Sequence, residues 1–112
     1  MATTTKTQQA TVSRLANIAE TMRAIVNGGA KYAHHRQAHG LELVLQRRGR
    51  GWRLALGREA RQASETEISL WRAAFGVPDG SEEASTVKQR KLPKTGQTVQ
   101  FFVTDVTWTE TE

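Results

Sequence analysis

The stretch from Leu41 to Arg58, "LELVLQRRGRGWRLALGR", constrains the fold more than any other part of the chain. Leu41, Leu43 and Leu45 alternate with Glu42, Val44 and Gln46. Past a Gly-rich turn, Trp52, Leu54 and Leu56 alternate with Arg53, Ala55 and Gly57. A period of two places one set on a buried face and the other outside. If Gly49 and Arg50 form a two-residue loop with Gly first, Leu45 falls opposite Leu54 and Leu43 opposite Leu56, all on one side. Turn and alternation give the same register, which predicts a β-hairpin with its leucines and Trp52 turned inward and Arg53 outward, opposite Gln46.

Helical signals flank this hairpin. Before it, Val12, Leu15, Ala19, Met22 and Val26 are spaced by threes and fours, and Ile18 and Ile25 widen the stripe. The spacing predicts an amphipathic helix that begins near Thr11 or Ser13 and ends at Gly28-Gly29. It either packs on the chain's own sheet or pairs with a second copy. Residues 30–40, which hold His34, His35 and His39, read as a connector. After the hairpin, Ser64 followed by Glu67 is a capping box, and Ile68, Trp71 and Phe75 form an apolar stripe. Gly76, Val77 and Pro78 form a stop signal.

Residues 79–96, "DGSEEASTVKQRKLPKTG", lack any apolar alternation and read as a long polar loop. Residues 98–108 read as a strand. Val99, Phe101 and Val103 have one parity and Phe102, Val106 and Trp108 the other, so either both faces are partly buried or a bulge near Thr104 and Asp105 switches them. The expected class is α+β: an antiparallel sheet covered by two helices in the order α-β-β-α-β. The expected domain spans residues 11–108, with a flexible tail at 1–10 and a short one at 109–112. A chain of 112 residues suits one domain.

The formal charge is +5, and most of the 16 Lys and Arg residues are Arg, whose planar fork suits phosphate. Arg47, Arg48, Arg50, Arg53 and Arg58 crowd the hairpin with no acid between them. Lys88, Arg90, Lys91 and Lys94 form a second basic run. Together, Arg47, Arg48, Arg50, Arg53, Lys88, Arg90, Lys91 and Lys94 form a candidate phosphate-binding set for DNA or RNA. Glu65 and Glu67 at the start of the second helix would repel phosphate there, which argues against a helix-turn-helix reader. With Trp52 turned inward, Tyr32 is the obvious spare ring, which argues against RNA recognition by stacked aromatics.

The chain contains no Cys, which excludes disulfides and thiolate chemistry. His35 and His39 lack the intervening Glu of a zinc hydrolase, and no Walker loop or nucleophile elbow occurs, so neither catalysis nor a cofactor or metal is expected. There is no secretory leader pattern and no apolar run of membrane length, and a cytoplasmic location is expected. The functional expectation is a small, non-enzymatic, nucleic-acid-binding accessory protein. The alternative is a protein-interaction module or complex subunit, or a homodimer formed through the first helix or a sheet edge.

Overall fold

The computed structural model describes residues 6–37 and 40–109, the first five of these for backbone only. The elements are α1 (Lys6–Asn27), β1 (Tyr32–Arg36), β2 (Glu42–Arg48), β3 (Gly51–Glu59), α2 (Glu65–Phe75), β4 (Glu82–Lys91) and β5 (Thr98–Thr109). All strands pair antiparallel in one sheet of order β1-β2-β3-β5-β4. The architecture is α+β, with two strands more than the sequence pattern reveals. Among the described residues no helix is long and apolar enough to cross a membrane.

The β2–β3 hairpin has the register that its alternation demands: Leu45 opposite Leu54, Leu43 opposite Leu56, and Arg48 opposite Gly51, leaving Gly49-Arg50 as the loop. Gly49 has φ +58° and is the one loop residue with a positive φ, which is why the first position is glycine. Leu43, Leu45, Leu54 and Leu56 are fully buried beneath the helices.

Each leucine or Phe side chain buried in this way contributes roughly 1.5–3 kcal/mol by leaving water, so this face is the main source of stability. α1 lies over β1 and β2 and against α2. Leu15, Ala19, Met22 and Val26 are buried in the shared core, so the helix stripe serves the chain's own sheet, whereas Ile25 remains 46% exposed.

α2 is bounded as its sequence requires. Ser64 Oγ accepts the Glu67 N–H at 3.1 Å, and Glu67 Oε1 accepts the Ser64 N–H at 3.0 Å. At the other end, Gly76 (φ +64°) donates to Ala73 O and Val77 donates to Arg72 O, a Schellman closure. Trp71 and Phe75 enter the core with ring centroids 6.0 Å apart.

Three sequence expectations change. α1 begins at Lys6, so residues 6–10 are helical and not tail; residues 1–5 and 110–112 lie outside the described residues. The 30–40 connector contains β1, in which Ala33 and His35 face the helices while Tyr32, His34 and Arg36 face away. Five residues with one small buried side chain carry little periodic signal. The 79–96 loop is instead β4, a six-residue turn (92–97) and a short entry.

β4 escapes a search for alternation because it lies outside the helix layer and nearly every residue in it is exposed on either face. Its order comes from the backbone ladder to β5 instead of from side-chain burial. β5 is continuous in register with β3 from Thr109 to Phe101, so the two parities of its apolar residues reflect burial on both faces and not a bulge.

Candidate nucleic-acid interface

Register and parity divide the sheet into a face closed by the helices and one left uncovered. The uncovered face carries Tyr32, His34 and Arg36 from β1, Glu42, Val44 and Gln46 from β2, and Arg53, Ala55 and Gly57 from β3. Phe101, Val103 and Asp105 come from β5, and Thr86, Lys88 and Arg90 from β4. At its middle is a shallow depression of about 290 Å³, walled by Glu42, Arg53, Lys88, Arg90 and Phe101.

Its anchor is Glu42, only 8% exposed. Arg36 from β1 donates to Glu42 Oε1 from both Nη2 (2.7 Å) and Nε (3.1 Å), and Arg90 from β4 reaches across the sheet to Oε2. His34 Nε2 stands 3.6 Å from Oε1. Burial pushes the Glu42 carboxyl up, but the hydrogen bonds and charges of Arg90 and Arg36 outweigh it and hold the group below its ordinary 4.5. The hydrogen bond that Arg90 donates to Glu42 in turn raises the Arg90 guanidinium, which therefore remains a cation.

Arg90 gains its reach from Phe101, whose ring lies 4.6 Å beneath the guanidinium centre. That ring occupies the space a side chain at position 57 would take: a Cβ built on Gly57 would come within 2.4 Å of it. Gly57 is thus needed for clearance. Next to this stack, Arg53 pairs with Asp105 at 2.5 Å and donates to Gln46 Oε1 at 2.8 Å.

The eight candidate cations do not form one patch. Arg48 and Arg50 stand at the β2–β3 tip, beside Thr109 and the start of β4, and carry no ion pair among the described residues. Lys91 and Lys94 stand at the opposite end, at the β4–β5 turn. Eleven steps along β5 separate the two ends, roughly 35 Å at strand rise.

Arg53, Lys88 and Arg90 occupy the uncovered face between them. Arg47 has the opposite parity and lies over the Trp52 ring at 4.7 Å, and Lys91 also has helix-side parity. Arg58, the remaining hairpin arginine, turns to the helix side and binds Glu67 Oε2 at 2.7 Å.

The sequence reading missed Arg36, His34, Glu42 and Phe101 as neighbours because β1 and β4, the strands that bring them together, were not visible as strands. Phe101 shares the parity of Val99 and Val103 that its strand pattern gives it, but nothing local links it to Arg90, which is opposite Val99 in register. Of the histidines, His35 packs beside Trp71 at 6.3 Å and meets Gln37 Nε2 at 3.0 Å, while His39 lies outside the described residues.

Compared with protein-family models, curated proteins and solved structures, the chain has no match.

Proposed function

We propose that this protein is a small, non-enzymatic, nucleic-acid-binding accessory protein, and that it lays the phosphate backbone across its uncovered sheet face. One observation carries the reading. Both helices lie on one side of the sheet, while the other side presents arginine, lysine and aromatic side chains in the open. An uncovered antiparallel sheet with cations and stacked rings suits an extended strand of RNA or DNA, because phosphates meet the cations and bases stack on exposed planes. Arg90, backed by Phe101, is such a plane.

Arg48 and Arg50 at one end, Arg53 in the middle, and Lys88, Arg90 and Lys94 beyond it form the proposed track. Arg47 and Lys91, with their parity turned away, are excluded. Glu42 and Asp105 hold Arg90 and Arg53 in place at the cost of part of their charge, so net attraction depends on Arg48, Arg50, Lys88 and Lys94, which carry no ion pair among the described residues.

The test is fluorescence anisotropy with labelled single- and double-stranded DNA and RNA at low and raised salt. The native chain would be compared with Arg48→Glu/Arg50→Glu and with Lys88→Glu. These side chains carry no ion pair among the described residues, so the variants keep the fold. Binding is expected to favour single strands, to weaken steeply with salt as counterions are released, and to fall in both variants. A native chain that ignores every oligonucleotide at low salt would end this reading.

A second reading, a protein-interaction module, is favoured by the open edge of β4, from which a distinct proposal follows.

A further inference from the structure

We infer that β4 is a self-association edge: two copies of this chain join β4 to β4, antiparallel about a two-fold axis normal to the sheet, to make one continuous ten-stranded sheet. The inference goes beyond nucleic-acid binding and does not depend on it.

β4 is an outer strand of ten residues, free of Pro, Gly and bulges, and it is exposed on both faces because no helix reaches over it. The other outer strand, β1, has only five residues. A ten-residue edge without Pro or bulge is a template for another strand.

The ladder specifies which groups are free. Leu92 N–H bonds to Gln97 O at 2.8 Å, so by the alternation of antiparallel pairing the even residues of β4 turn their backbone groups to β5. Glu83, Ser85, Val87, Gln89 and Lys91 turn theirs outward.

The occupant is identified by charge. β4 begins with Glu82 and Glu83 and ends with Lys88, Arg90 and Lys91, so an antiparallel second copy sets each acidic end against a basic end. A two-fold normal to the sheet keeps both uncovered faces on the same side, which requires residues of like parity to face one another. Among such registers, the one centred on Val87 sets Val87 opposite Val87 of the second copy, Ser85 opposite Gln89, and Glu83 opposite Lys91.

This register engages every outward backbone group in about ten hydrogen bonds. It also covers Val87, at 52% exposure one of the few large apolar side chains left in water. Among the described residues Glu83 in the single chain has only a 3.9 Å contact with Arg72, so its carboxylate is available. The two uncovered faces would then run on as one surface.

The experiment is sedimentation velocity on the full chain in nucleic-acid-free buffer, from low to high micromolar protein. A concentration-dependent dimer is expected. Val87→Pro deletes an N–H that faces the free edge and so spares the ladder to β5; it is expected to abolish the dimer while leaving the circular dichroism unchanged.

Glu83→Lys and Lys91→Glu are each expected to weaken association roughly tenfold by opposing like charges on both sides of the axis, and the double exchange to restore it. The chain has no Cys, so Val87→Cys supplies a single thiol. Facing residues about 5.5 Å apart at Cα can form a disulfide, and oxidation is expected to give a covalent dimer from Val87→Cys but not from Ile25→Cys on α1. A chain that is monomeric throughout, or a dimer that survives Val87→Pro and cross-links through Ile25→Cys, would overturn the inference.

Discussion

At the residue scale, two side chains are held by their surroundings in ways that a substitution can expose. Gly57 makes room for the Phe101 ring, which in turn supports Arg90. Gly57→Ala is expected to displace that ring and destabilise the protein by about 1–3 kcal/mol, the usual cost of overpacking, as measured by urea unfolding. An NMR spectrum should show the Phe101 and Arg90 resonances shifting together. An unchanged midpoint and spectrum would mean that the ring has space elsewhere.

Thr104 is the opposite case. It is 1% exposed on the helix side, opposite Leu56, and its hydroxyl has no hydrogen-bond partner among the described residues. Thr104→Val replaces that hydroxyl with a methyl of similar shape. A gain of about 1 kcal/mol is expected, read as a higher unfolding midpoint, since an unsatisfied buried polar group costs at least that much.

At the element scale, α2 and β4 illustrate two ways in which a segment acquires order. α2 is specified by its own ends: the Ser64–Glu67 capping box at its start and the Schellman closure at Gly76 are local, and both were readable from residue type and spacing. Ser64→Ala is expected to cost about 1 kcal/mol, measured by chemical denaturation, because it removes the acceptor for the Glu67 N–H. A loss much larger than that would mean that Ser64 also holds the Arg58–Glu67 pair in place.

β4 has no such code. Its alternate residues do not differ in burial, and its strand state rests on pairing with β5, a segment known to it only through the tertiary fold. β1 is hidden for a related reason, since its one fully buried side chain is Ala33.

At the scale of the whole molecule, two carboxylates join elements that are far apart in sequence. Glu42 ties β2 to Arg36 of β1 and Arg90 of β4, and Glu67 ties α2 to Arg58 of β3. Burial raises both carboxyls, yet both end below their ordinary 4.5. Arg90 and Arg36 outweigh burial at Glu42, and the Ser64 hydrogen bonds, with Arg58 and Arg61, do so at Glu67.

A depressed carboxyl contributes stability that is fully present above its unfolded value and is lost as pH falls through the lower folded one. Unfolding midpoints are therefore expected to be level above about pH 5 and to fall as acid is added below it. Glu42→Gln should flatten that fall at the cost of lower stability at neutral pH, checked by thermal melts across the pH range.

What the sequence by itself determined is what short-range chemistry can encode. The β2–β3 register follows from alternation and a glycine turn, the limits of α2 from its caps, and the inward face of α1 from its spacing. The α+β class follows from these together. The tertiary structure decided which strands lie side by side, and so which charges meet.

Arg48 and Lys94 belong to two basic runs that the chain alone leaves free to be adjacent, and the sheet order sets them at opposite ends. Arg58, one of five arginines near the turn, is taken up by Glu67. Glu42, an ordinary outward residue of β2, becomes the anchor of the uncovered face. The reason is physical: a side chain's parity is set by its own strand, but its neighbours are set by strand order, which depends on contacts between residues as far apart as Glu42 and Arg90.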